Sequence, residues 1–363
     1  MNGSKLERVV LVGVKLKRER NYDFESSLEE LQGLTEAAGG IVIATMVQAK
    51  DRPNSSTYIG KGKLEELIHL VAELEPDLVI IDSELSPVQL RNLEEAVEIR
   101  IIDRTMLILD IFSQRARTRE GNLQVELANL EYRLPRLTGR GAEMSRVGAG
   151  IGTRGAGEQK LELDRRRIRN RIQDIKQQME KVESTRQLHR KQRQRAGLKT
   201  ISLVGYTNAG KSSLFNTLCK NAHRSGSEQV EADERLFQTL DTTTRKIVLP
   251  SRREALITDT VGFIQNLPHH LVAAFRSTLE ETVDADILLH VVDVSGLDYL
   301  DEIQVVEQVL RELGAELDKI ITVFNKADLI DFNPGTEVGQ FVSAKTGKGI
   351  EELLSKIEKK LDE

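Results

Sequence analysis

Eight residues, Gly205-Tyr206-Thr207-Asn208-Ala209-Gly210-Lys211-Ser212, stand directly after the apolar run KTISLV and constrain the fold more than any other stretch. They match G-x-x-x-x-G-K-[ST] between a strand and a helix, the pattern of a phosphate loop. Glycines let the backbone approach closely and aim N–H groups at phosphate oxygens, and the helix that follows contributes its positive end. In such a loop Lys211 is expected to reach the β- and γ-phosphates and Ser212 to ligate Mg²⁺. The surrounding chain agrees. Residues 197–363 alternate strands (KTISLV, KIVLP, EALITDT, DILLHVVDV, KIITVFN, GQFVSA) with helical stretches, which predicts a doubly wound α/β domain.

Phosphate loops serve ATP and GTP alike, so the base must be read elsewhere. Asn325-Lys326-Ala327-Asp328 follows the strand run IITVF, where side chains project toward a bound base. A carboxylate at Asp328 can accept two hydrogen bonds, from guanine N1–H and N2–H₂, and adenine lacks both donors. Such charged hydrogen bonds are worth about 1.5–3 kcal/mol each, roughly a hundredfold preference or more for the pair. Ser343-Ala344-Lys345, closing the last strand, can add a backbone N–H to guanine O6. Asp259-Thr260-Val261-Gly262 closes another strand; Asp259 is expected to hold Mg²⁺ through a water and the Gly262 N–H to bind the γ-phosphate. Between these lies LFQTLDTTTRK, whose threonines include a candidate to complete the Mg²⁺ shell. This layout is that of a GTP-dependent switch.

At 363 residues the chain suits two or three domains. Three are expected: a small N-terminal α/β domain over 1–113, a helical hairpin over 114–196 and the nucleotide domain over 197–363. In the first, RVVLVGVKL, GIVIATMV, DLVIID and EIRIIDR read as strands, and Ser26 to Ala38, Lys63 to Glu75 and Pro87 to Val97 as helices. From about Thr105 the strand signals stop and a helical stretch runs to about Leu134, ended by Pro135. A further helix from Glu158 carries Ile168, Ile172, Ile175, Met179 and Val182 at 4-3-4-3 spacing, a short coiled-coil seam that stops at Arg186 and His189. Between the two helices, Gly150-Ile-Gly152-Thr-Arg-Gly155 spells G-x-G-x-x-G. A dinucleotide fingerprint needs a strand immediately before it. Here the preceding residues are polar and Arg-rich, so the segment reads as the tip of a hairpin.

Net charge is −5, yet Lys160 to Arg195 carries +8 and the remainder −13. A basic segment on an acidic chain is a candidate contact for RNA, with a solvated helix face as the plainer reading. Arg140, Arg146, Arg154, Arg165, Arg166 and Arg167 are the candidate RNA contacts. YIGKGK reads equally as a basic contact or a helix-start turn. The single cysteine, Cys219, reads as a small core residue, and the histidines, His269-His270 included, lack ligand spacing. Apolar runs are too short for a membrane span and no signal-peptide pattern is present, which points to a cytoplasmic chain, with peripheral membrane association left open.

The order and length of the last domain resemble Ras-like GTPases, and longer stretches resemble the HflX family of ribosome-associated GTPases. The resemblance runs along nearly the whole chain and includes TYIGKGKLEEL, ELSPVQLRNLE, IIDRTMLILDIF, RTREGNLQVELANLEYRLPRL, GTRGAGEQKLELDRRRI, FQTLDTTTRK and DTVGFIQNLPHHLVAAFRSTLEE. Ala156 and Thr242 depart from that pattern, which often has proline at both. The resemblance implies that Thr239 is the Mg²⁺ threonine and that Phe237, Gln238, Thr239, Leu240 and Asp241 line the nucleotide. It implies a GTP hydrolase, acting as a monomer, that binds the large (50S) ribosomal subunit and its RNA and serves translation, ribosome splitting or rescue under stress, or assembly. A GTP-regulated scaffold or signalling switch, binding a protein or membrane partner through its helical arm, is the alternative.

Phe263 occupies the position after D-T-V-G where Ras-like proteins carry a water-orienting glutamine, and a phenyl ring cannot orient water by hydrogen bonding. Purified protein alone is therefore expected to hydrolyse GTP slowly and to be accelerated by a partner. Steady-state phosphate release checks this; fast intrinsic turnover, undiminished in Phe263→Ala, contradicts it.

Overall fold

Val9, Val10, Leu11 and Val12 are all buried, so both faces of one strand need cover. That is the pattern of a central strand in a parallel sheet with helices on each side. The structure, a computed structural model, describes residues 6–17, 21–137, 156–221, 240, 242–264, 283–296, 298–330 and 339–362. By contacts the chain forms two units, Met1–Gln114 with Asn122–Met179, and Arg115–Gly121 with Glu180–Glu363.

In the first unit, strands β1 (Glu7–Leu16), β2 (Gly40–Lys50), β3 (Leu78–Ile81) and β4 (Ile101–Asp103) form a parallel sheet in the order β2-β1-β3-β4. Helices α1 (Asn21–Ala37), α2 (Lys61–Leu74), α3 (Pro87–Val97) and α4 (Arg104–Arg115) follow the strands in turn. Val10, Val12 and Val14 of β1 join one cluster with Leu67 and Val71 of α2 and Leu93 and Val97 of α3. On the opposite face a Cβ at Gly13 would sit 2.9 Å from the Phe24 ring, so α1 lies close on β1 there. Ser86 starts α3 with a capping box closed by Gln89, and Pro87 occupies its first turn. YIGKGK forms a helix start: Lys61 is the first residue of α2.

At the carboxyl ends of β3 and β4 a buried guanidinium gathers the chain. Arg104 pairs with Asp82 at 2.7 Å and Glu30 at 2.5 Å, all three side chains nearly inaccessible, and Ser27 donates to Asp82 at 2.8 Å. Next to it Asp103, fully buried, accepts from the Leu85 and Met106 amides at 2.9 Å and from Arg136 at 3.4 Å. Burial outweighs these bonds and raises its carboxyl above the ordinary range.

The expected helical stretch from Thr105 to Leu134 is two helices, α4 and α5 (Arg119–Arg136). Thr118 causes the break, its hydroxyl accepting from the Gly121 amide at 3.0 Å as a fresh N-cap. Pro135 lies inside α5 rather than ending it; Arg136 bonds the Tyr132 carbonyl at 2.9 Å and holds the last turn. The next helix, α6, spans Ala156–Arg195, running past the point where the apolar seam stops. Ile172, Ile175 and Met179 of the seam pack with Leu123, Leu127 and Leu130 of α5. Arg171 reinforces the pair through both oxygens of Glu126, at 2.7 and 2.8 Å.

Among the described residues of the second unit, six strands form one sheet in the order β10-β9-β8-β5-β7-β6. They are β5 (Lys199–Gly205), β6 (Thr243–Val248), β7 (Glu254–Asp259), β8 (Ile287–Asp293), β9 (Ile320–Asn325) and β10 (Gln340–Phe341). All pairs are parallel except β6 with β7. Helices α7 (Lys211–Asn221), α8 (Tyr299–Glu312) and α9 (Ile350–Asp362) accompany these strands, with short 3-10 turns at Leu317–Lys319 and Ala327–Leu329. Leu214, Phe215 and Leu218 of α7 and Leu353, Leu354 and Ile357 of α9 share a core with Ile201, Leu203, Leu289 and Val323, and Cys219 lies in it. This is the doubly wound sheet expected from the alternation, with β5 at its centre.

Removing Arg104 leaves two buried carboxylates uncompensated. Arg104→Met is expected to destabilise the first unit by about 3–5 kcal/mol, read as a lowered urea midpoint for its unfolding transition.

Candidate functional site

Four loops meet at the carboxyl edge of the six-stranded sheet, where open α/β sheets bind ligands. The first leaves β5 at Gly205. Its φ is +149° and a Cβ there would lie 2.2 Å from the Val291 carbonyl oxygen of β8, so only glycine fits. Gly210 closes the loop at φ +86°, with a Cβ position 2.3 Å from Asn325 Nδ2. Asn208 takes the left-handed conformation at the loop's crest, and α7 starts at Lys211.

Lys211 is buried, and its Nζ donates to the carbonyls of Gly205 at 3.1 Å and Tyr206 at 2.6 Å. Burial lowers its ammonium to about 8, against the opposing pull of Asp259 and Glu302. Ser212 Oγ donates to Asp259 Oδ2 at 2.7 Å, so the helix start and the end of β7 present a hydroxyl and a fully buried carboxylate side by side. Hard oxygen donors of this kind suit Mg²⁺. Thr260 turns its hydroxyl to the Leu203 carbonyl at 2.5 Å and fastens the Asp259–Gly262 loop to β5. Phe263, buried, donates its N–H to Gly205 O at 3.1 Å, and its carbonyl accepts from the Thr207 amide at 2.7 Å. The two loops are thus stitched together.

The base-reading side is built the same way. Asn325, buried at the end of β9, donates to Ala209 O at 2.9 Å and accepts from the Ala344 amide at 3.0 Å, joining the phosphate loop, β9 and the Ser343–Lys345 turn. Lys326 is left-handed and pairs with Asp293 at 2.6 Å. Asp328 is exposed; a hydrogen bond from Ser343, with Lys345 and Lys326 nearby, holds its carboxyl below the ordinary range. Ser343 in turn accepts from the Thr346 amide at 3.1 Å.

Residues 205–212, 259–262, 325–328 and 343–345 of the expected site therefore come together on one sheet edge. Leu240 is buried; Phe237, Gln238, Thr239 and Asp241 lie outside the described residues. So do Arg140, Arg146 and Arg154 of the expected RNA contacts. Of the others, Arg165 is half-buried near Glu162 at 3.9 Å, Arg167 is exposed with Asp164 at 3.5 Å, and Arg166 is exposed. Reading the sequence alone missed Thr217, which donates to Ala344 O at 2.8 Å, and His290, buried in β8 and lowered to about 4 by burial and by Lys211. Neither belongs to a motif; only their place on α7 and β8 facing the loops could have flagged them.

Three family descriptions match in succession: "GTP-binding GTPase N-terminal" over residues 25–113, "GTP-binding GTPase Middle Region" over 115–193 and "50S ribosome-binding GTPase" over 200–326. The GTPase HflX of Caldanaerobacter subterraneus subsp. tengcongensis is 50% identical over 356 residues, covering 98% of this chain and 81% of the relative. That of Escherichia coli K12 is 41% identical over 363 residues, covering 98% of this chain and 83% of the relative. Among solved structures, the SsGBP and GDP complex has a TM-score of 0.52 at 25% identity, covering 97% of this chain and 98% of that one. A phosphate loop with Lys211 and Ser212, a buried Asp259 beside it and the Asn325–Asp328 turn thus stand in a chain whose relatives are GTPases along almost its full length, and the chain belongs to the GTPase HflX family of GTP-binding GTP hydrolases.

Proposed function

We propose that this GTPase binds GTP along Gly205–Ser212, reads guanine through Asp328 and the Ser343–Lys345 turn, and uses its nucleotide state to control attachment to the large ribosomal subunit. The observation that carries the nucleotide reading is Asn325, whose single side chain ties the phosphate loop to the base-reading turn. Mg²⁺ fits the oxygen pair of Ser212 and Asp259, with Thr239 as the further ligand the family pattern implies; bound there it would neutralise charge developing on the phosphates. Lys211 would leave the Gly205 and Tyr206 carbonyls for phosphate oxygens, and the Gly262 N–H would meet the γ-phosphate. Because the Phe263 backbone bonds both Gly205 and Thr207, rearrangement around the γ-phosphate would pass between the phosphate loop and the Asp259–Gly262 loop. The division into 1–113, 114–196 and 197–363 belongs to the same proposal.

The ribosomal reading draws on two supports. The family matched over 200–326 is described as 50S ribosome-binding. Helix α6 also presents Arg166, Lys181, Lys191 and Arg195 exposed and without ion-pair partners among the described residues. Cationic side chains of this kind bind phosphate backbones with a steep salt dependence. Among the described residues no helix is long and apolar enough to cross a membrane.

Asp328→Ala is expected to weaken GTP binding by roughly a hundredfold or more while ATP binding stays negligible, as fluorescent-nucleotide titration would show. Co-sedimentation with ribosomes should be strongest with a non-hydrolysable GTP analogue, weaker with GDP, and should decline with salt. Pelleting that ignores the nucleotide removes the switch, and absence of pelleting favours a protein or membrane partner for the helical arm. Replacing Gly150 to Gly155 is expected to weaken pelleting and leave GTP affinity intact; loss of GTP affinity would mean that this segment binds nucleotide.

A further inference from the structure

Transfer of the γ-phosphoryl group to water needs a polar group to hold the attacking water, and the side chain of Phe263 offers none. The phosphate loop itself carries another candidate. Thr207 is buried at 6% exposure, and its hydroxyl has no hydrogen-bond partner among the described residues. A buried hydroxyl left unpaired costs free energy, so its persistence points to a partner that arrives with a ligand.

Gly262 fixes the place of the side chain that carries that hydroxyl, its methyl being the nearer branch. A Cβ on Gly262 would lie 2.8 Å from Lys211 Nζ, 2.9 Å from Thr207 Cα and 3.0 Å from Thr207 Cγ2. The Lys211 ammonium and the Thr207 side chain therefore converge on one point of Gly262, the residue whose N–H is read as the γ-phosphate donor. The backbone of Thr207 is held there by its 2.7 Å bond to Phe263 O. A glycine at position 207 could keep that backbone bond, but it would bring no hydroxyl to the γ end of the loop.

We infer that Thr207 is a catalytic residue of GTP hydrolysis, its hydroxyl accepting a hydrogen bond from the attacking water and donating one to a γ-phosphoryl oxygen. The water oxygen bonds to Pγ as the bond from Pγ to the β,γ-bridging oxygen breaks. GDP leaves with that electron pair, the water's proton passes to the phosphate formed, and the Thr207 hydroxyl ends unchanged. Thr207 thereby takes over, from the phosphate loop, the water-holding task that a side chain at position 263 cannot perform. The inference rests on the proposed placement of GTP along Gly205–Ser212.

Thr207→Val, Thr207→Ser and Lys211→Ala, each in the full chain, test it by single-turnover GTP hydrolysis alongside GTP and GDP affinity from fluorescent nucleotides. Valine keeps the volume and removes the hydroxyl, so a packing role would be preserved. The expected result is a slowing on the order of tenfold to a hundredfold in Thr207→Val, with GDP affinity nearly native and GTP affinity reduced by much less than the rate, and recovery of most of the rate in Thr207→Ser. A native rate in Thr207→Val, a serine variant as slow as valine, or a rate loss matched by lost GTP affinity would each overturn the catalytic role. Lys211→Ala separates the two readings. If it keeps native nucleotide affinity, the placement of GTP fails; if it loses affinity while Thr207→Val hydrolyses normally, only the role of Thr207 fails.

Discussion

The second unit depends on how closely two backbones meet at the end of β5. Gly205 stands where any side chain would collide with the Val291 carbonyl of β8, and Gly210 stands where one would collide with Asn325. These approaches draw the phosphate loop down onto the sheet until Asn325 can reach Ala209. One polar side chain then fixes the spacing between the phosphate cradle and the base-reading turn. Orientation of a nucleotide in such a frame would be set before binding rather than during it, which lowers the entropic cost of recognition.

Much of this architecture was legible because the two periodicities differ so plainly. Runs such as ILLHVV and LVII are too short for helices and too apolar for loops, and each became a buried strand. The phosphate loop was legible because glycine positions, a lysine and a hydroxyl fall at fixed spacing after such a run. The break before α5 was not, since Thr118 acts through a single cap bond inside a stretch of otherwise good helix formers. Pro135 misled for a related reason. A proline ends a helix by default, and here α5 runs only one residue past it, to Arg136, whose side chain bonds the Tyr132 carbonyl and stacks over the Tyr132 ring at 3.4 Å. The role of Asn325 as a brace between loops also escaped, because sequence spacing says which residues share a motif and not which distant backbone they will touch.

Charge on α6 shows a similar gap between composition and geometry. Its excess of arginine and lysine suggested one cationic surface, yet Arg171 is committed to Glu126 and Asp174, Lys176 to Glu131, Arg186 to Glu120 and Arg190 to Asp284. Most of these ions are half-exposed, so they contribute little stability. Their effect is to orient side chains along α5 and to narrow the positive field to the arginines and lysines left outside the pairs.

Lys211 carries a last consequence. Its ammonium is surrounded by protein, and burial brings its proton affinity down to about 8, with Asp259 and Glu302 pulling it upward and His290 close by. A polyphosphate placed against it would restore the preference for the charged form. Capture of nucleotide and capture of a proton would then be linked equilibria: between about 8 and the higher value of the bound state, binding would take up a proton, and affinity would fall as pH rises. The same lysine that would grip the phosphates would also make the gripping strength a function of solvent pH.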